Sequence, residues 1–177
     1  ATARKPIAYV RGNALAPRGR GTRIVVQVVN DRTPNWGGRG FAQAVRAAWP
    51  HVQEDFREWA HARPRDFRLG AVRIVEASKE IEVATIVAQK GYGDSVGPRI
   101  RYAALRQGLE LVARHAVATG GTLHMPRIGA GHAGGSWHVV EELVRSTCLR
   151  RGLAVTVYDL PGKEPPAESP QSQLSFD

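Results

Sequence analysis

Cysteine is almost missing from this chain: its 177 residues contain one, Cys148. A single thiol makes no internal disulfide and no Cys-based zinc cluster, so a reducing cytoplasm is the expected compartment. Long hydrophobic runs are missing too. Nothing approaches the ~18 consecutive apolar residues of a membrane span. No apolar stretch follows the charged Ala1-Thr-Ala-Arg-Lys-Pro6 to serve as a signal-peptide core. No metal site is expected from His51, His61, His115 and His138, which form no cluster of ligands in the sequence. Acidic residues are in deficit, 16 against 25 Lys and Arg, which leaves a net charge of +9. That excess suits either a polyanion partner or a plain basic surface. The arginines are scattered, with clusters at Arg18, Arg20, Arg23 and at Arg63, Arg65, Arg68. No aromatic-interleaved ribbon of the kind that stacks single-stranded bases accompanies them.

The length is that of one domain. Ile24-Val-Val-Gln-Val-Val29 is β-branched and nearly all apolar, the pattern of a strand buried on both faces in a sheet covered by helices. Similar runs occur at Ile7 to Val10, Ala71 to Val75, Val83 to Val87, Thr122 to Met125 and Ala154 to Tyr158, six strands in all. Between them, one-sided helical patterns run through Phe41, Ala44, Val45, Ala48; Val52, Phe56, Trp59, Ala60; Leu105, Leu109, Val112, Ala116; and Val140, Leu143, Val144, Thr147. The order β-β-α-α-β-β-α-β-α-β, with a hairpin at Ser78-Lys79-Glu80, predicts a three-layer α/β/α sandwich on a mixed sheet. Residues 1–160 read as the domain. Residues 161–177, rich in Pro and Ser, read as a flexible tail whose Leu174 and Phe176 either dock on a partner or are stray apolar residues.

Two glycine-rich loops leave the ends of buried strands. One is Met125-Pro-Arg-Ile-Gly129-Ala-Gly131-His-Ala-Gly134-Gly-Ser-Trp137. Glycines at a strand-to-helix junction let backbone N–H groups point into a concavity beside the positive end of a helix dipole, which is how diphosphates are held without side-chain charge. The other is Asn30-Asp-Arg-Thr-Pro-Asn-Trp-Gly37-Gly38-Arg39-Gly40-Phe41. Two such loops predict a crevice at the carboxyl ends of the strands. Asn30 and Asp31 either orient hydroxyls or a water there, or serve turn and capping chemistry. Trp36 and Trp137 either wall the pocket or lid the core, and His124, inside a strand, reads as a core histidine. Gly129, Gly131 and Gly134 fit G-x-G-x-x-G, with Asp159 ending the next strand. Too little chain follows for the second half of a dinucleotide fold, however, and no P-loop motif is present.

The loop from Met125 to Trp137, together with Tyr9-Val-Arg-Gly12-Asn-Ala and Val155-Thr-Val-Tyr158, resembles a macrodomain. The branch it is similar to contains the terminal ADP-ribose protein glycohydrolase and the DarG-type antitoxins. The resemblance covers residues 6 to 160 and implies an ADP-ribose pocket on an α/β/α fold, with no cofactor beyond that ligand. It puts the adenine end at Asn13, Ala14 and Tyr158, and the distal ribose near Asn30. The diphosphate falls between Gly37, Gly38, Arg39, Gly40, Phe41 on one side and Pro126, Ile128, Gly129, Ala130, Gly131, His132, Ala133 on the other. Enzymes of this branch use a lysine just after the fourth strand and an aspartate in the second glycine loop. Here the aspartate position is Ala133, and the lysine position falls on Gln89 or Lys90. The adenine-contacting aspartate is replaced by Asn13.

The residues left to carry catalysis are therefore Asp31, Gln89, Lys90 and His132, the last as a base or as a solvated loop residue. The first expectation is a hydrolase that removes mono-ADP-ribose from acidic side chains or from DNA or RNA. The alternatives are a non-catalytic ADP-ribose reader, a phosphatase on ADP-ribose 1″-phosphate, and a nicotinamide-dependent oxidoreductase. Expected partners are ADP-ribose and ADP-ribosylated protein or nucleic acid, with no membrane partner.

Overall fold

A computed structural model describes residues 6–37, 40–93, 96–131 and 133–162. Gly38, Arg39, His132 and the Leu174/Phe176 segment lie outside the described residues. Six strands form one sheet: β1 (Ala8–Arg11), β2 (Arg23–Asn30), β3 (Val72–Ser78), β4 (Ile81–Gln89), β5 (Thr122–Met125) and β6 (Val155–Asp159). Their order is β1-β6-β5-β2-β4-β3. All neighbours run parallel except β3, which is antiparallel to β4. The sheet is therefore mixed, as the hairpin predicts. The β3–β4 arms pair down to Ser78 opposite Ile81, so the turn is Lys79-Glu80, with Glu80 at φ 65°.

The β-branched run of β2 sits mid-sheet because both of its faces are buried. Ile24 and Val26 face one helical layer and Val25 and Val29 the other. On the first face lie α3 (Tyr102–Thr119) and α4 (Trp137–Thr147), packed on Ile86, Leu123, Met125 and Val157. α3 comes close to β4 because residue 108 has no side chain: a Cβ there would stand 2.3 Å from Ile86 Cγ2. On the second face lie α1 (Phe41–Ala48) and α2 (Pro50–Ala62), packed on Val83 and Val87 through Trp36, Val45 and Phe56. Pro50 holds the first position of α2 and forces Trp49 out of helical geometry (φ −137°, ψ 77°), which divides the two helices. Each Ile, Leu or Phe sealed in these layers contributes about 1.5–3 kcal/mol of apolar burial.

The side of β5 and β6 that bears His124 and Tyr158 is covered by the β1–β2 connection instead of a helix. Arg18 N donates to the Tyr158 hydroxyl (2.9 Å), and that hydroxyl meets His124 Nδ1 at 2.8 Å. His124 is a core histidine, with Nε2 2.7 Å from Thr122 Oγ1. Burial, and then the nearby Arg23, push its pKa from 6.5 down to about 4, so the ring is neutral at physiological pH. No helix among the described residues is long and apolar enough to cross a membrane.

Candidate functional site

The carboxyl ends of the parallel strands β2, β4 and β5 open onto a cleft of about 1120 Å³, walled by the connections that follow those strands. Such a position is where open α/β sheets hold ligands.

The wall after β2 begins at Asn30, which is buried. Its Oδ1 accepts hydrogen bonds from the backbone N–H groups of Arg32 (2.9 Å) and Thr33 (3.0 Å), so turn chemistry uses the carbonyl and leaves the Nδ2 amide for a ligand. The chain then passes Trp36 and enters α1, whose first residues Phe41 and Ala42 line the cleft with Gly37 and Gly40. The first turn of α1 has no acidic residue, so nothing in it competes for the free N–H groups and the positive dipole end.

The wall after β5 is a folded glycine loop. Gly135 N donates to Gly129 O (2.7 Å) and Gly134 N to Gly131 O (3.0 Å), while Ala133 O accepts from Arg99 N and Ile100 N. Tyr102 Oη accepts from Ser136 N at 2.8 Å where α4 begins. Closure needs glycine at 135, where a Cβ would lie 2.5 Å from Gly129 O and 2.8 Å from Ile100 Cγ2. The N–H groups of Gly129, Gly131 and Ala133 bond no other described residue, and all three residues line the cleft. The second of these loops thus brings unengaged amides to a space that Gly37, Gly40 and Phe41 line from the other side, a suitable cradle for a diphosphate.

The third wall follows β4 and treats Gln89 and Lys90 differently. Gln89 lines the cleft, its Nε2 donating to Gly91 O (2.9 Å), which leaves Oε1 as an acceptor. Lys90 is not part of the cleft wall. Its Nζ pairs with Asp31 Oδ2 at 3.2 Å, and Asp31 Oδ1 accepts from Gly91 N at 2.8 Å. Asp31 therefore straps the end of β4 to the end of β2 and does not line the cleft either. Asn30 stands opposite Gln89 across the β2–β4 ladder. One carboxamide offers a donor and the other an acceptor, a neutral pair fit to orient ribose hydroxyls or a water.

Of the other expected contacts, Pro126 and Ile128 line the cleft and Ala130 does not. Asn13, Ala14 and Tyr158 do not line it; Asn13 and Ala14 follow the end of β1, and Tyr158 lies near the end of β6. Asn13 Oδ1 is engaged by Leu15 N (2.9 Å), Ala14 is buried, and the Tyr158 hydroxyl is fixed by Arg18 and His124. Trp36 lines the cleft, whereas Trp137 is buried against Tyr9, away from it. Among the described lining residues the ionisable side chains are Tyr92, Arg99 and Arg127, with no carboxylate, lysine or histidine. Two buried lining residues also carry a polar atom without a partner, Gln27 Oε1 and Trp36 Nε1, so the floor has an acceptor and a donor unmatched within the protein.

Apart from Gln89, sequence reasoning missed the third wall, as well as Gln27 and Arg127. The signal for that wall was present in Gly91, Gly93, Gly97 and Pro98, which follow a buried parallel strand just as the other two glycine loops do. Among the described residues no group of three or more His, Cys, Asp or Glu side chains converges as a metal site would need.

Comparison with known proteins brings three likenesses. A macrodomain protein from Streptomyces coelicolor is 39% identical, with a TM-score of 0.77 over 87% of this chain and 99% of that one. The Thermosipho africanus DarTG, solved in complex with ADP-ribose, is 18% identical and shares the fold, with a TM-score of 0.62 over 87% of this chain and 41% of that one. Among curated proteins, the mouse chromodomain-helicase-DNA-binding protein 1-like is 29% identical over 96% of this chain. The chain spans less than a fifth of the length of the curated relatives it matches. No family model matches the chain.

Proposed function

The chain belongs to the macrodomain family, and on that premise we propose that its cleft binds ADP-ribose. The observation that carries this reading is the pair of glycine loops lining one cleft, Gly37, Gly40 and Phe41 on one side and, on the other, Gly129, Gly131 and Ala133, whose N–H groups bond no other described residue. Backbone N–H groups meet the diphosphate from both sides. The distal ribose lies by the Asn30 Nδ2 and Gln89 Oε1 groups, and the adenine lies toward Asn13 and Tyr158. The DarTG structure with ADP-ribose, of the same fold, supports the choice of ligand.

Bound ADP-ribose has two uses. In the first, the protein hydrolyses mono-ADP-ribose from modified acidic side chains or from nucleic acid. On an acidic side chain, Asn30 and Gln89 hold a water in line with the anomeric carbon; its oxygen bonds to that carbon, the bond to the ester oxygen breaks so that the carboxylate leaves without needing a strong acid, and the water's proton passes to solvent, so positioning supplies the rate. In the second, the protein is a non-catalytic reader. The specific observation in its favour is that no carboxylate, lysine or histidine lines the described part of the cleft.

One experiment separates them. The protein is titrated calorimetrically with ADP-ribose, with AMP and NAD as comparators, and then incubated with an ADP-ribosylated glutamate peptide and an ADP-ribosylated oligonucleotide. Micromolar or tighter ADP-ribose binding, about −8 kcal/mol, with release of free ADP-ribose, makes it a hydrolase; the same binding with an intact conjugate makes it a reader. Free phosphate from ADP-ribose 1″-phosphate would mark the phosphatase alternative, and NAD binding as tight as ADP-ribose binding the oxidoreductase. Failure to bind ADP-ribose would overturn the reading as a whole.

A further inference from the structure

We propose that Arg127 is a positioning residue that sets the second glycine loop for a diphosphate, acting through the loop's amides and not through its own charge. This rests on the reading of the cleft as a diphosphate site.

Arg127 lines the cleft, and a cation there would ordinarily be taken as a phosphate ligand. Its guanidinium is already engaged. Nε donates to Asp159 Oδ1 (2.9 Å) and a terminal nitrogen to Asp159 Oδ2 (3.1 Å), a bidentate fork that neutralises its charge on the spot. The same group lies over two aromatic rings, 5.1 Å from the centroid of Tyr9 and 5.5 Å from that of Trp137. Those rings are themselves fixed, since Trp137 Nε1 donates to the Tyr9 hydroxyl (3.0 Å) and that hydroxyl donates to Glu141. One side chain thus ties the loop to β6, to β1 and to α4.

The backbone of the same residue opens the loop. Ala130 N donates to Arg127 O (3.3 Å), and Ile128 N to Pro126 O (2.7 Å), so the first turn is built around Arg127. The far end is held separately, where Ala133 O accepts from Arg99 N and Ile100 N. Gly129 and Gly131, with their unengaged N–H groups, are suspended between these two anchors. Fixing them before a ligand arrives removes an ordering cost that binding would otherwise bear. Lysine cannot substitute, because a point charge has neither the planar fork nor the stacking face.

The test uses the full chain as wild type, Arg127→Lys and Asp159→Asn, the latter keeping the shape of the carboxylate if the arginine variant folds poorly. Hydrogen exchange of the Ala130, Gly134 and Gly135 amides, the loop N–H groups that are hydrogen-bonded, is measured without ligand, and affinities are measured for ADP-ribose and for adenosine, which has no phosphate. The expected result is at least tenfold faster exchange in the loop, unchanged exchange in β2 and β4, an ADP-ribose Kd raised tenfold or more, and an adenosine Kd within twofold. Unchanged loop exchange would overturn the proposal, as would exchange that quickens evenly through the core. An adenosine affinity that falls in step with that of ADP-ribose would also overturn it, because Arg127 would then be touching the base. If wild type binds no ADP-ribose, the functional reading fails, and the loop exchange still judges the anchor.

Discussion

Gly135→Ala is the substitution that most directly probes how the diphosphate loop is built. The backbone at residue 135 has no left-handed φ, so the cost comes from contact alone: the new Cβ would stand 2.5 Å from Gly129 O and 2.8 Å from Ile100 Cγ2. Ile100 is fully buried and cannot swing aside, so the Gly135 N to Gly129 O bond of 2.7 Å must open. An unsatisfied buried backbone pair costs about 1–3 kcal/mol, and overpacking the Ile100 site adds about 1–3 kcal/mol. The sum is a destabilisation of about 2–6 kcal/mol. In a chain of this size each kcal/mol lowers Tm by about 2–4 °C, so Tm falls by at least about 4 °C. Displacing the Gly129 and Gly131 amides from a charged diphosphate forfeits about 1.5–3 kcal/mol for each bond, which raises the ADP-ribose Kd more than about 100-fold. Gly131→Ala is the control, because a Cβ there meets nothing within 4 Å; its stability stays within about 0.5 kcal/mol of wild type. Thermal melts and calorimetric titration of the two variants decide the matter. If Gly135→Ala melts and binds like wild type, the loop is not closed by the Gly129–Gly135 contact and the reasoning is wrong.

Three further outcomes are expected. His124 has a folded pKa of about 4 against 6.5 unfolded, so between those values the unfolded chain binds the extra proton; the contribution is complete above pH 6.5 and is lost as pH falls toward 4. The gap, 6.5 − 4, corresponds to at most about 3 kcal/mol, and denaturant melts at pH 7 and pH 4.5 should differ less in His124→Asn than in wild type. Lys90→Ala should change the ADP-ribose Kd less than threefold and stability by no more than about 1 kcal/mol, since an exposed ion pair is worth little, whereas Gln89→Ala should weaken binding by tenfold or more; titration that ranks them the other way would return the lysine to the cleft. Gly108→Ala drives a methyl to 2.3 Å from Ile86 Cγ2 and should cost at least about 1–3 kcal/mol in a urea melt, with ADP-ribose affinity of the folded fraction preserved.

The layers were legible because burial on both faces leaves a plain mark: Ile24 to Val29 and Val83 to Val87 admit few polar residues, and the helical stripes between them repeat every three or four positions. The two glycine loops were legible for a related reason, since glycine clusters at the ends of such strands have few structural uses. Alternation along β4 could not decide between Gln89 and Lys90, and the structure supplies the cause. Val29 pairs with Val87 but Asn30 with Gln89, so Ala88 is an extra residue on β4 and the ladder slips by one at the mouth of the cleft. Counting inward from Val87 therefore gives the wrong phase where the phase matters most. Asp31 was equally opaque, because its task is to receive Gly91 N and Lys90 Nζ, two groups just past the end of β4 and about sixty positions away in sequence. Arg127 went unnoticed because its contacts include Asp159 and Tyr9, both far from it in the chain.

The strand order has a consequence for how this site comes into being on the ribosome. β6 lies between β1 and β5, so the first strand to emerge has no neighbour until the last has been synthesised. The backbone bond from Gly12 N to Asp159 O joins the two almost end to end. A nascent chain halted before residue 155 can stack its helices on β2 and β4, yet it has no Asp159 to hold Arg127 and no β6 to shelter β1. Such distant pairings are slow to close, and until then the apolar edge of β5 stays open to misassociation. Within this sheet, therefore, the fork that holds Arg127 and the partner strand of β1 form only once translation has passed the sixth strand.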